Sequence, residues 1–162
     1  MQTVFWLSVG QNCVLQPIRS AIQHQNMLDC TLQCEKFVRR IRRNIEAKFY
    51  ATDMLLTGMS DGGTFCYVSG LEAASPFTHL APVSATFHPL MAEMADATRL
   101  QRLPIFITHG KLDWMFPVQT ARQTQAALAA AGADVTYREI DDLSHTYPRE
   151  INAELLEWLN GE

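Results

Sequence analysis

Ser60, Asp113 and His145 are the residues of this chain whose types and order can do chemistry together. A serine hydroxyl is a poor nucleophile at neutral pH and needs a base within hydrogen-bond reach to take its proton. Histidine suits that task because its unperturbed pKa lies close to physiological pH. A carboxylate on the second ring nitrogen fixes the tautomer and stabilises the imidazolium that forms. The chemistry open to such a set is attack on an acyl carbonyl.

The elements that must position them can be read around each residue. Ser60 sits in Gly58-Met59-Ser60-Asp61-Gly62, a G-x-S-x-G pattern. Ahead of it Asp53–Thr57 reads as a strand, and Gly63-Thr64-Phe65-Cys66-Tyr67-Val68 can start a helix. A serine at a sharp strand-to-helix turn has its hydroxyl pushed clear of the sheet. Close packing across that turn explains Gly58 and Gly62. Pro104–Thr108 is an apolar strand whose following loop carries Asp113, and Val135–Ile140 is a strand whose following loop carries His145. In a parallel sheet all such ends lie on one edge, so distant residues converge there. The separations leave room for the crossover helices that parallel strands require.

With these pieces the chain resembles the α/β-hydrolase superfamily, within it the phospholipase/carboxylesterase and dienelactone-hydrolase-like branch. The resemblance is carried by Leu56-Thr57-Gly58-Met59-Ser60-Asp61-Gly62-Gly63, by Pro104 to Asp113 with Phe116-Pro117-Val118 behind it, and by Leu143-Ser144-His145. It runs from about Glu35 to the C-terminus. It implies that Ser60 is the nucleophile, His145 the general base and Asp113 the acid that orients it. The backbone N–H of Asp61 would hold the oxyanion, aided by the helix dipole.

The departure from the family lies at the N-terminus. A second oxyanion donor normally follows an earlier strand and is often marked by His-Gly, yet the chain's one His-Gly, His109-Gly110, lies downstream of Ser60. Only 59 residues precede Ser60, where the family places several strands. Thr3–Val9 is the one convincing strand among them. If it precedes the oxyanion loop, Gly10-Gln11-Asn12 supplies the donor, with Gln11 the candidate; if it is the next strand along, the oxyanion strand is missing. Residues 1–34 thus read as a divergent N-terminal segment of a single domain spanning 1–162.

Plainer readings stand beside these. Serine is favoured as a helix N-cap, so Ser60 could serve only that purpose. Asp113 could be a turn former; Asp96, Asp141 and Asp142 rank below it as acids. His145 could simply cap the loop before Pro148, but His24, His79 and His88 lack a comparable strand-end position. His109 reads as structural, with pocket lining as the lesser alternative. Met59, Trp114 and Met115 are the candidate substrate contacts, since ligand sites are mostly apolar; core packing is the equal alternative for Trp114, Met115 and Phe116. The run Lys36, Arg39, Arg40, Arg42, Arg43 and Lys48 reads as the solvated face of a helix rather than an anion site.

The whole chain sets the class. At 162 residues it is long enough for one domain with a core. A net charge of −4 argues against nucleic acid as a partner. No apolar run is long enough to span a bilayer, and the start is too short in apolar residues for a signal peptide. Cys13, Cys30, Cys34 and Cys66 lack C-x-x-C spacing and read as reduced thiols, which suggests the cytoplasm. Helices are expected at Pro17–Met27, Glu35–Phe49, Val118–Ala131 and from Pro148 onward, the last turning Ile151, Leu155, Trp158 and Leu159 inward. Alternating strands and helices predict an α/β fold, a mostly parallel sheet with helices on both faces, as a truncated α/β-hydrolase. The expected activity is hydrolysis of small to medium carboxylic or thio esters through an acyl-enzyme, with no cofactor or metal implied. The second hypothesis is a shortened domain that assembles but catalyses little. Under either, an uncovered sheet edge predicts a homodimer or larger homo-oligomer.

Overall fold

In the computed structural model of the chain, residues 3–10, 12–16, 53–88 and 90–161 are described. Six strands form one sheet: β1 (Thr3–Gly10), β2 (Asn12–Gln16), β3 (Met54–Met59), β4 (His79–Val83), β5 (Pro104–Gly110) and β6 (Asp134–Ile140). Their order is β2-β1-β3-β4-β5-β6. β1 through β6 pair in parallel except for β2, which turns back antiparallel on β1. Five helices are described: α1 (Asp61–Gly70), α2 (Leu90–Met94), α3 (Ala97–Leu100), α4 (Val118–Ala130) and α5 (Ile151–Asn160). The α/β fold with a mostly parallel sheet is as expected. β2 corrects the sequence reading, which placed one strand ahead of β3. The expected helices at 17–27 and 35–49, and the basic run within the second, lie outside the described residues.

Side-chain period explains how the sheet is covered. Successive residues of a strand point to opposite faces, and Leu55 and Leu56 are both buried, as are Ile105, Phe106 and Ile107. Such strands need cover on both sides. On one face Leu56, Leu80, Ile105 and Ile107 pack with Cys66, Tyr67 and Leu71 from α1 and its end, and with Leu128 of α4. On the other, Leu55, Ala81 and Phe106 pack with Ile151, Leu155 and Leu159 of α5. Those three α5 residues recur every fourth position, the spacing of one helix face, and each contributes roughly 1.5–3 kcal/mol of burial. Trp158 joins them half-buried, edge-on to Phe106 at 5.4 Å. Gly161, at φ 74°, ends α5 in the left-handed conformation that favours glycine.

β6 reads differently. Val135, Tyr137 and Glu139 are half-buried while Asp134, Thr136 and Arg138 are exposed. That alternation suits the strand at the end of the described sheet, paired among the described strands with β5 alone. No described helix is long and apolar enough to cross a membrane.

Candidate active site

The parallel strands deliver three loops to one edge of the sheet. β3 ends at Met59 and α1 begins at Asp61, so the whole reversal falls on Ser60. Its backbone sits at φ 57°, ψ −121°, a conformation that costs an L-residue about 1–3 kcal/mol and persists only when its surroundings hold it. They do: Ser60 N–H donates to the Val83 carbonyl at 2.9 Å, and Thr64 N–H donates to the Ser60 carbonyl at 2.9 Å. A Cβ on Gly63 would lie 2.6 Å from Ala85 Cβ, so a hydrogen there lets α1 close against the segment after β4. Ser60 occupies the N-cap position, but its side chain makes no capping bond. Its Oγ lies instead 3.0 Å from His145 Nε2.

Asp113 bonds both to its own turn and to His145. Oδ1 accepts from the N–H groups of Met115 (2.9 Å) and Phe116 (2.8 Å), the pattern of a side-chain-capped turn. Oδ2 accepts from His145 Nδ1 at 2.9 Å. The carboxylate side chain is fully buried. Burial pushes its pKa up, but the Phe116 N–H, the His145 ring and the Met115 N–H outweigh that and hold it below the ordinary carboxylate range. An ionised Asp113 requires the proton of neutral His145 to sit on Nδ1, which leaves Nε2 free to accept from Ser60 Oγ. Electrically and geometrically, the arrangement can draw a proton from Ser60.

The loops that carry Asp113 and His145 are docked on each other. Lys111 N–H donates to the Ile140 carbonyl and Leu112 N–H to the Leu143 carbonyl, at 2.9 and 3.0 Å. At Gly110 a Cβ would stand 2.3 Å from the Leu143 carbonyl oxygen. Only glycine lets the two backbones meet that closely.

The remaining candidates fall as follows. Asp61 is exposed and opens α1, whose first N–H groups have no intrahelical acceptor. Register puts Ser8 beside Met59, so the β1–β2 turn reaches the same sheet edge as Ser60; Gln11 itself lies outside the described residues. Met59 is half-buried at the end of β3. Trp114 is 74% exposed, its ring 6.1 Å from that of His145, and Phe116 stands edge-on to the same imidazole at 5.3 Å. Met115 is also exposed. The competing acids lie elsewhere: Asp96 caps α3 through Arg99 N–H, and Asp141 pairs with Lys111. His79 bonds Thr78 and meets Trp158 edge-on, while His88 accepts from Leu90 N–H. Burial lowers the His79 pKa. Among the described residues no cluster of three His, Cys, Asp or Glu could hold a metal ion.

Sequence reasoning passed over Gly110 as a contact, Gly63, and Ser84, which follows β4 at φ 43° with its N–H on the Thr108 carbonyl. Nothing local marks these positions, because each answers to a neighbour across the sheet.

Residues 18–160 match the phospholipase/carboxylesterase family of α/β-hydrolases. The chain belongs to this family. It is a hydrolase of the esterase kind, and the family match reaches well into the segment that read as divergent. Among solved structures, the fold is similar to SOBER1 of Arabidopsis thaliana, with TM-score 0.71 and 15% identity over 88% of this chain and 75% of that one. Esterase PE8 gives 0.65 and 17% over 85% and 66%. Zea mays acyl-protein thioesterase 2 gives 0.62 and 16% over 93% and 71%. At these identities the likeness is one of fold. No curated protein is significantly similar to the chain in sequence.

Proposed function

We propose that this esterase-type hydrolase cleaves carboxylic esters of small to medium size by a Ser-His-Asp mechanism through an acyl-enzyme. The observation that carries this reading is the unbroken hydrogen-bonded chain Ser60 Oγ–His145 Nε2 and His145 Nδ1–Asp113 Oδ2, at 3.0 and 2.9 Å. Ser60 Oγ attacks the acyl carbon while His145 takes its proton. The imidazolium, stabilised by Asp113, then protonates the departing alkoxide. Water repeats the sequence on the acyl-serine and releases the acid. A thioester would follow the same steps with a thiol leaving.

The tetrahedral oxyanion is held by the Asp61 N–H at the start of α1, where the helix dipole favours negative charge. The second donor comes from the Gly10–Asn12 turn, with Gln11 as the residue. Direct pairing of β1 with the strand that carries Ser60 supports that source over a missing oxyanion strand. Met59, next to Ser60 in the chain, and Trp114 and Met115, on the turn that follows Asp113, form the apolar rim for the ester.

A fluorophosphonate probe, which reacts with activated serines, tests the reading. The intact protein is expected to be labelled and to cleave p-nitrophenyl esters, and Ser60→Ala to abolish both. His145→Ala is expected to lose nearly as much, because members of such a unit fail together. Labelling that survives Ser60→Ala, or wild-type rates in His145→Ala, would remove these residues from the chemistry.

A further inference from the structure

We propose that His109 is a positioning residue, whose imidazole fixes the turn that presents the Asp113 carboxylate to His145. The inference rests on the reading of Ser60, His145 and Asp113 given above. His109 is fully buried near the end of β5. Burying a polar ring there is costly unless it bonds. Its Nε2 lies 2.8 Å from the Phe116 carbonyl oxygen. A carbonyl only accepts, so Nε2 carries the hydrogen. The same nitrogen is 3.6 Å from Asp113 Oδ2, the oxygen that His145 uses.

Phe116 is thereby held at both of its backbone groups. Its N–H is on Asp113 Oδ1 and its carbonyl is on His109. Backbone bonds from Lys111, Leu112 and Asp113 hold the start of the turn, but its apolar side chains do not pack it down, since Leu112, Trp114 and Met115 are all exposed. Apolar burial therefore cannot set the position of Asp113; polar contacts to buried groups must. The other ring nitrogen, Nδ1, is buried without a hydrogen-bond partner among the described residues. An unsatisfied buried nitrogen costs about 1–3 kcal/mol. A position chosen for packing alone would be better filled by an apolar side chain. The use of the ring lies in its Nε2.

Three substitutions separate positioning from packing. In His109→Gln the side-chain amide nitrogen reaches about as far as Nε2 and can donate to Phe116. In His109→Asn it reaches only about as far as Nδ1. His109→Leu fills the space and donates nothing. Each variant is assayed for kcat and KM on p-nitrophenyl butyrate, for the rate of fluorophosphonate labelling, and for melting temperature, beside Ser60→Ala. His109→Leu and His109→Asn are expected to lose about 10- to 100-fold in kcat and in labelling rate together, with KM within about twofold. His109→Gln is expected to recover most of that loss. A merely structural role would lower the melting temperature without sorting Gln from Asn in kcat. Equal kcat losses in Gln and Asn, a change confined to KM, or full activity with Leu would overturn the proposal. If Ser60→Ala is silent while the His109 variants behave alike, this proposal fails alone. If Ser60→Ala stays active, the hydrolytic reading fails instead.

Discussion

Asp113 and Glu139 each accept three hydrogen bonds, and both are held below the ordinary carboxylate range, yet their settings are opposite. Asp113 takes two backbone N–H groups and the ring of His145, with its side chain fully buried. Glu139 takes both arms of the Arg122 guanidinium and the hydroxyl of Tyr137, with its side chain about a fifth exposed. The Arg122 hydrogen bonds are the chief cause that brings Glu139 down to about 2. Tyr137 is pushed up in turn, by burial first and then by Glu139. Around Glu139 every charge is already neutralised by a permanent cation, so no proton has anywhere to go. Around Asp113 the partner is a histidine whose far nitrogen faces a serine. A displaced pKa therefore marks a functional carboxylate only when the group it polarises can still exchange a proton.

That contrast is sharpened most by Asp113→Asn. The amide oxygen can still accept from Met115 and Phe116, so the turn should persist. Its NH2 group, however, now faces His145 Nδ1 and demands the other tautomer, with the proton on Nε2. Ser60 then loses its acceptor. Turnover is expected to fall by about 10³–10⁴, with the labelling rate falling in parallel and the circular dichroism spectrum unchanged. A loss under about tenfold would mean that Asp113 does not set the tautomer.

Gly110→Ala comes next. The added Cβ would drive the Leu143 carbonyl away and part the loops that carry Asp113 and His145. A shift of about 1 Å in a reacting pair costs on the order of 10²-fold, and the expected loss is of that size, in kcat with little change in KM. Crystallography of the variant would read the His145–Asp113 distance directly. An unchanged kcat would show that the docking of the two loops has slack.

How much of this could be read from residues alone follows from the range of each interaction. The strands carrying Ser60, Asp113 and His145 were legible because each is an apolar run closed by turn chemistry, and parallel order brings their ends to one edge. The cover on the sheet was legible in the four-residue spacing of Ile151, Leu155 and Leu159 and in the helix expected at Val118–Ala131, which is α4. β2 was missed: Cys13-Val14-Leu15 is short, and Gly10 and Asn12 read as donors for a loop rather than as a hairpin turn. Close packing was assigned to Gly58 and Gly62, whereas the tight approaches found at Gly63 and Gly110 depend on Ala85 and Leu143. His109 read as structural, with pocket lining as the lesser alternative, and its tie to Phe116 was not legible, since a backbone carbonyl partner leaves no mark in sequence. Contacts within a few residues write themselves into spacing; contacts between loops do not.

Acid should separate the two carboxylates more gently. A depressed folded pKa contributes stability that is complete above the unfolded value and is lost as pH falls through the folded one. For Asp113 the loss begins below about pH 4, so the stability gap between wild type and Asp113→Asn should narrow there in urea titrations. For Glu139 the same sign applies, between about pH 4.3 and the folded value near 2.

The size of the Glu139 effect differs because Arg122 lies at the surface and the pair is screened. Exposed pairs of this kind add little to stability. Glu139→Gln is therefore the smallest effect expected: a slight loss of stability at low salt, vanishing near 1 M salt as the Debye length shrinks to about 3 Å. Esterase rates should not move at all, since nothing on β6 that Glu139 holds reaches the serine. If instead Glu139→Gln slowed turnover as Asp113→Asn does, hydrogen-bonded chains would not be what distinguishes the two sites, and the field of the edge strand would have to be counted into the chemistry.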